Sequence, residues 1–160
     1  MIPRLATPND AALLAAIYNE GIVDRVATFE TRYRSENDAR GWFDGKHPIV
    51  VVESDGKVVA FASTSTYRPR ECYAGIAEVS VYVARDYRRR GAGSVALREI
   101  IEQARAHGFW KLVSRIFIEN RASRALIASL GFREVGIYEK HGQLDGVWRD
   151  VVIVERHLVA

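Results

Sequence analysis

The chain is poor in the residues that build crosslinks and metal clusters. Its 160 residues include a single cysteine, Cys72, so neither an intramolecular disulfide nor a cysteine-built zinc site is possible. The four histidines, His47, His107, His141 and His157, show no metal-ligand spacing, and no metal is expected. No apolar run reaches the length of a membrane span, and "MIPRLATPNDAALLAAIYNE" does not read as a signal peptide. A cytoplasmic protein without a membrane partner is therefore expected. Internal repeats, low-complexity stretches and linkers are also missing, which points to one domain over residues 1–160.

What is present is ordinary globular material: 48% hydrophobic and 27% charged residues, with a net charge of +3. Much of the positive excess sits in one place. In "YVARDYRRRGAGSVALREIIEQA", residues 82–104, Arg85, Arg88, Arg89 and Arg90 crowd together just before two glycines and a helical pattern. Crowded like charges repel, so something negative must relieve them. A local cluster suits a small anionic ligand better than a nucleic-acid track. The aromatic residues do not interleave with it as a base-stacking platform would.

Hydrophobic periodicity orders the rest. "IPRL" reads as a strand. Thr7, Pro8 and Asp10 then form a capping-box start for a helix carrying Leu13, Leu14, Ile17 and Tyr18, which Gly21 ends or loosens. "DRVATFETR" reads as a loop, followed by a short helix capped by Ser35 and Asp38 that turns Trp42 and Phe43 inward. Two β-branched runs flank Asp55-Gly56, a strong hairpin turn. In "YAGIAEVSVYVA", Val79, Val81 and Val83 alternate with Glu78, Ser80 and Tyr82. Helices over 93–107 and 120–130, a strand "WKLVSRIFI" and two final strands joined by a loop at 141–147 complete the order β-α-α-β-β-β-α-β-α-β-β. Adjacent strands linked by hairpins require a mixed sheet. The fold class is α/β with a central mixed seven-stranded sheet and about four helices.

Gly91 and Gly93 fall where a strand ends and a helix begins. Backbone N–H groups there lack partners and the helix dipole is positive, so the turn can cradle a pyrophosphate. It is not a P-loop, because no Lys-Ser/Thr pair follows, and it lacks the third glycine and the acidic partner of a dinucleotide fingerprint.

Arg88-x-x-Gly91-x-Gly93 after "EVSVYVA" resembles the acetyl-CoA motif of the GNAT superfamily of N-acetyltransferases, and the element order matches that fold across the chain. "ECYAGIAEVSVYVARDYRRRGAG" and "YEKHGQLDGVWRDV" are similar to the branch acting on phosphinothricin, methionine sulfoximine and arsinothricin. The resemblance implies acetyl-CoA as co-substrate and no metal. It implies that Val81, Tyr82 and Val83 hold the pantetheine arm like an added strand. The segment from Arg88 through Arg89, Arg90, Gly91, Ala92, Gly93 and Ser94 would take the pyrophosphate, and Asn120 would contact the pantetheine region. Glu78 would be the general base. Arg68, Arg70 and Tyr73 would bind an anionic, amino-acid-like substrate, with Phe29 and Thr31 walling its pocket. A homodimer is implied, with His141 and Asp145 near a site closed across it.

Physical chemistry asks for such a base, since an alkyl amine titrates near about 10 and only its neutral form attacks a thioester. Cys72 has no neighbouring histidine to activate it, so direct attack without an acyl-enzyme is expected. Where many relatives carry a tyrosine to protonate the departing thiolate, this chain has Ile127. Tyr138 is a weaker substitute, better read as packing. Trp110 and Trp148 are expected in the core or an interface. Three other readings stand beside the favoured one: acetylation of a protein N-terminus or a polyamine, a non-catalytic acetyl-CoA sensor that would not need Glu78, and nucleic-acid binding through the arginine run.

Overall fold

A computed structural model describes residues 1–25 and 27–159. The elements run β1 (Ile2–Leu5), a 3-10 turn (Pro8–Asp10), α1 (Ala11–Asp24), α2 (Glu36–Arg40), β2 (Ile49–Ser54), β3 (Lys57–Thr66), β4 (Ile76–Val83), α3 (Ala92–Ala106), β5 (Lys111–Phe117), α4 (Arg121–Ser129), β6 (Arg133–Leu144) and β7 (Val147–His157). The seven strands form one sheet in the order β1-β2-β3-β4-β5-β7-β6. Every neighbouring pair is antiparallel except β4 and β5.

Two helical layers sandwich the sheet. Val50, Val52, Ala77 and Val79 meet Leu97, Ile100 and Ile101 of α3 on one face. Val51, Val58 and Phe61 meet Leu14 and Ile17 of α1 on the other. Each such side chain taken fully out of water contributes about 1.5–3 kcal/mol. The parity of β4 follows from this. Odd positions from Ala77 to Val83 face α3, while Glu78, Ser80 and Tyr82 face the α1 side.

Several local readings are corrected. α1 runs through Gly21 to Asp24, because Gly21 is buried and a Cβ there would lie 3.5 Å from the Tyr82 ring. α2 stops at Arg40, and Trp42 and Phe43 pack inward from the following turn. The expected loop 141–147 is mostly strand. Asp145 and Gly146, with φ 53° and 77°, make a two-residue turn that lets β6 continue to Leu144. Trp110 and Trp148 both remain about half exposed, and Trp110 lies over Gly75, where a Cβ would sit 2.1 Å from its ring. Among the described residues no helix is long and apolar enough to cross a membrane.

The candidate active site

The parallel pair β4/β5 is the reason for the site. Pairing covers only Ile76–Lys111, Ala77–Leu112 and Glu78–Val113. β4 then continues to Val83 and β5 to Phe117 without pairing to each other, so the sheet forks. The Ser114 hydroxyl closes the base of the fork by donating to the Val79 carbonyl at 2.8 Å.

A cleft of about 470 Å³ occupies the open end. Its walls include Val81, Tyr82 and Val83 of β4, then Arg88, Arg89, Gly91, Gly93 and Ser94, and Asn120 across the fork. Sequence reasoning named all of these. It missed the remaining wall: Ile17 and Gly21 of α1, Ala27, and Ala122, Ser123 and Leu126 of α4. Arg90 and Ala92 are the two anticipated residues outside the lining. Arg90 lies over the Tyr87 ring at 5.4 Å, and Ala92 is buried in the core. The cleft narrows to a slot of about 70 Å³ between the strands, where Ile127 and Arg115 contribute.

The turn before α3 leaves its backbone open, with nothing within 4 Å of a Cβ built at Gly91. Arg89 and Gly91 take φ of 64° and 89°, and α3 follows Gly91, its N-cap, with no side-chain cap and no acidic residue in its first turn. Its first N–H groups therefore meet no side-chain cap and no carboxylate from the helix's own first turn. The crowded arginines are relieved from within. Arg88 Nη1 lies 2.6 Å from Asp24 and Arg85 Nη2 lies 2.9 Å from the same carboxylate, while Glu20 accepts from the Arg85 backbone N–H. Arg85 first, and Arg88 after it, hold the Asp24 carboxyl below the usual range against the opposing effect of burial. Arg88 also donates to the Val83 carbonyl at 3.3 Å. For Arg89, no ion pair occurs among the described residues.

Glu78 sits at the last paired position before the fork, on the α1 side. Its Oε1 accepts from Arg115 Nε at 3.0 Å and Nη2 at 2.7 Å. Ser65 of β3 stands opposite Glu78, and Ser63 opposite Ser80. Beside them a cleft of about 480 Å³ is lined by Tyr18, Arg34, Trp42, Ser63, Ser65, Ser80 and Tyr82, and reasoning from sequence did not find it. Tyr82 reaches both clefts and packs on Tyr18 and Phe61. Burial pushes its hydroxyl above the usual phenol range, so it stays neutral.

Arg68, Arg70 and Tyr73 come together with Lys46 and His47 around a separate cleft of about 320 Å³. The Arg68 guanidinium covers the Tyr67 ring at 5.1 Å, and Tyr67 meets Tyr73 edge-on. Phe29 lies elsewhere, edge-on to Phe117 at 4.8 Å and pressed against Gly142, and Thr31 is exposed. Asp145 pairs with Arg25 at 3.1 Å, and His141 contacts Tyr138. Cys72 is exposed, and no three His, Cys, Asp or Glu residues cluster among the described residues.

Comparison with known proteins fits this geometry. The chain is 34% identical to the L-methionine sulfoximine/L-methionine sulfone acetyltransferase of Pseudomonas aeruginosa over 150 residues, covering 91% of this chain and 87% of that one. It superposes with TM-score 0.93 on a ribosomal-protein-alanine N-acetyltransferase from Brucella melitensis, at 34% identity over 98% and 99% of the two chains. A phosphinothricin acetyltransferase from Sinorhizobium meliloti, solved in complex with acetyl-CoA, matches with TM-score 0.90 and 29% identity over 98% of this chain and 87% of that one. Residues 14–132 match the acetyltransferase (GNAT) family, and with the forked sheet and its glycine turn in place, the chain is an acetyl-CoA-dependent N-acetyltransferase of that family.

Proposed function

We propose that the enzyme acetylates the α-amino group of a small, anionic amino-acid analogue of the phosphinothricin, methionine sulfoximine or arsinothricin type, as a cytoplasmic detoxification and resistance enzyme. The observation that carries this reading is the placement of Glu78 where β4 and β5 part, beside a serine-lined cleft on the face away from α3. Full-length similarity to acetyltransferases named for such analogues supports it.

Acetyl-CoA, when bound, supplies an acetyl group activated as a thioester. Val81–Val83 and Asn120 would hold its pantetheine arm, and the amides around Arg89–Ser94 its pyrophosphate. Glu78 takes the proton of the acceptor ammonium, directly or through a water, so that the nitrogen lone pair can attack the acetyl carbon. The new C–N bond forms as the C–S bond breaks; the thiolate leaves, and the second proton of the attached nitrogen passes to it or to water, leaving the neutral amide. Ile127 is buried and apolar, so it gives that thiolate no proton. Arg68 and Arg70, with Lys46, form a basic cleft suited to the acceptor's second acidic group.

A homodimer accords with the bare edge strand β6. Val135, Ile137, Tyr138, Val147 and Trp148 leave about half of their surface exposed on this hairpin.

The test is thiol release from acetyl-CoA with a panel of phosphinothricin, methionine sulfoximine, arsinothricin, N-terminal peptides and polyamines. Turnover of the three analogues far above the others is expected. Preference for an alanine-headed peptide would overturn the substrate reading in favour of protein N-terminal acetylation.

A further inference from the structure

Arg115 is the one charged side chain inside an otherwise uncharged run of β5, Leu112–Phe117, and it points to the face that carries Glu78. Both contacting nitrogens converge on a single oxygen, Oε1. Among the described residues Oε2 has no partner. The pair stands at the closed end of the fork, Arg115 in the wall of the slot and Glu78 at the last ladder position. It is accessible: the Arg115 side chain is 51% exposed.

A carboxylate and a guanidinium held side by side at a reaction site match one kind of acceptor better than any other. An α-amino acid zwitterion carries an ammonium and a carboxylate one carbon apart. Its ammonium fits the unused Oε2, and its carboxylate fits the remaining N–H groups of the guanidinium, which presents donors in a fixed fork. A polyamine offers no carboxylate, and in a peptide N-terminus that carboxylate has become an amide. Arg34, in the neighbouring serine-lined cleft, is committed elsewhere. Arg34 pairs with Glu30 at 3.1 Å and lies over the Tyr18 ring.

We propose that Arg115 binds the acceptor's α-carboxylate and so restricts the enzyme to free α-amino acids, leaving Arg68 and Arg70 for the acidic side-chain group. The proposal rests on Glu78 being the base, and it makes Arg115 the residue that sets the substrate class.

The experiment compares kcat/KM for L-methionine sulfoximine and for its methyl ester, in wild type, R115Q, R115K and E78Q. The ester's ammonium is intrinsically more acidic, so the quantity read is the change in the acid-to-ester ratio between variants. R115Q is expected to lower that ratio by about 100-fold, because the carboxylate then lacks its charged partner. R115K should restore part of the ratio, and KM for acetyl-CoA should not move in either variant. An R115Q ratio equal to that of wild type overturns the proposal. E78Q is expected to slow the acid and the ester alike. Should E78Q turn over both at the wild-type rate, the base assignment falls, whereas the R115Q ratio still decides the role of Arg115.

Discussion

The Ser114 hydroxyl and the Val79 carbonyl are joined at 2.8 Å, one residue beyond the last β4–β5 ladder pair. Both residues are buried, so this side-chain bond takes over where the backbone ladder ends. Replacing Ser114 by alanine leaves the carbonyl without its donor. A loss of about 1–2 kcal/mol in urea unfolding is expected, with a smaller fall in kcat, since the fork loses the stop that sets where it opens.

Glu78→Gln keeps the shape of the side chain and removes its capacity to take a proton. Steady-state kinetics should show kcat reduced by about 10²–10³-fold, with KM for acetyl-CoA nearly unchanged. An equal fall in coenzyme affinity would mean that Glu78 shapes the fork instead of serving the acceptor.

Asp24 gives a prediction in pH. Its carboxyl lies below the usual range in the fold because Arg85 and Arg88 hydrogen-bond to it. A depressed carboxyl stabilises the fold above its unfolded value, about 3.9, and that contribution disappears as pH falls through the folded value. Asp24→Asn should therefore cost roughly 1 kcal/mol at pH 7. The gap between the two urea midpoints should narrow below about pH 4. A constant gap from pH 7 to pH 3 would show that the charge is not what matters.

Gly91→Ala isolates the backbone of the phosphate turn. Its φ is 89° and an added Cβ would meet nothing within 4 Å, so the substitution strains only the main chain. The strain is about 1 kcal/mol. As the turn relaxes, calorimetry should find acetyl-CoA bound about fivefold more weakly.

Ile137→Glu combined with Trp148→Glu places charge on the exposed hairpin. Sedimentation should show dimer giving way to monomer, with the thermal midpoint of the isolated chain little changed because both side chains are already about half in water. Wild type sedimenting as a monomer at all concentrations would remove the dimer from the scheme.

Much of this was legible in the residues. Alternation in "EVSVYVA" set the two faces of β4, and the glycine pair marked the turn that opens α3 and lines the cleft. Asp55-Gly56 fixed a hairpin, since two consecutive positive φ values suit few other residues. The other Asp-Gly pair, 145–146, carried the same signal and was submerged in a longer glycine-bearing loop. What stayed hidden was anything assembled across long separations. Arg34, Ser63 and Ser80 share a cleft only because the segments on either side of α2 fold back over the sheet, with Trp42 packed on Phe61 and Tyr18. The relief of the arginine cluster by Glu20 and Asp24 likewise depends on α1 packing across the sheet. Arg115 did leave a trace, a lone charge in an apolar strand, but its partner could not be read without the strand register.

The clasp between Arg25 and Asp145, 120 positions apart, and the seat of Phe29 on Gly142 tie the segment after α1 to the tip of the last hairpin. Neither segment contributes to the glycine turn, which stands on the opposite arm of the fork. A change of charge or size at one partner of either contact therefore unseats the other segment, so the two stretches are best exchanged together, never one alone.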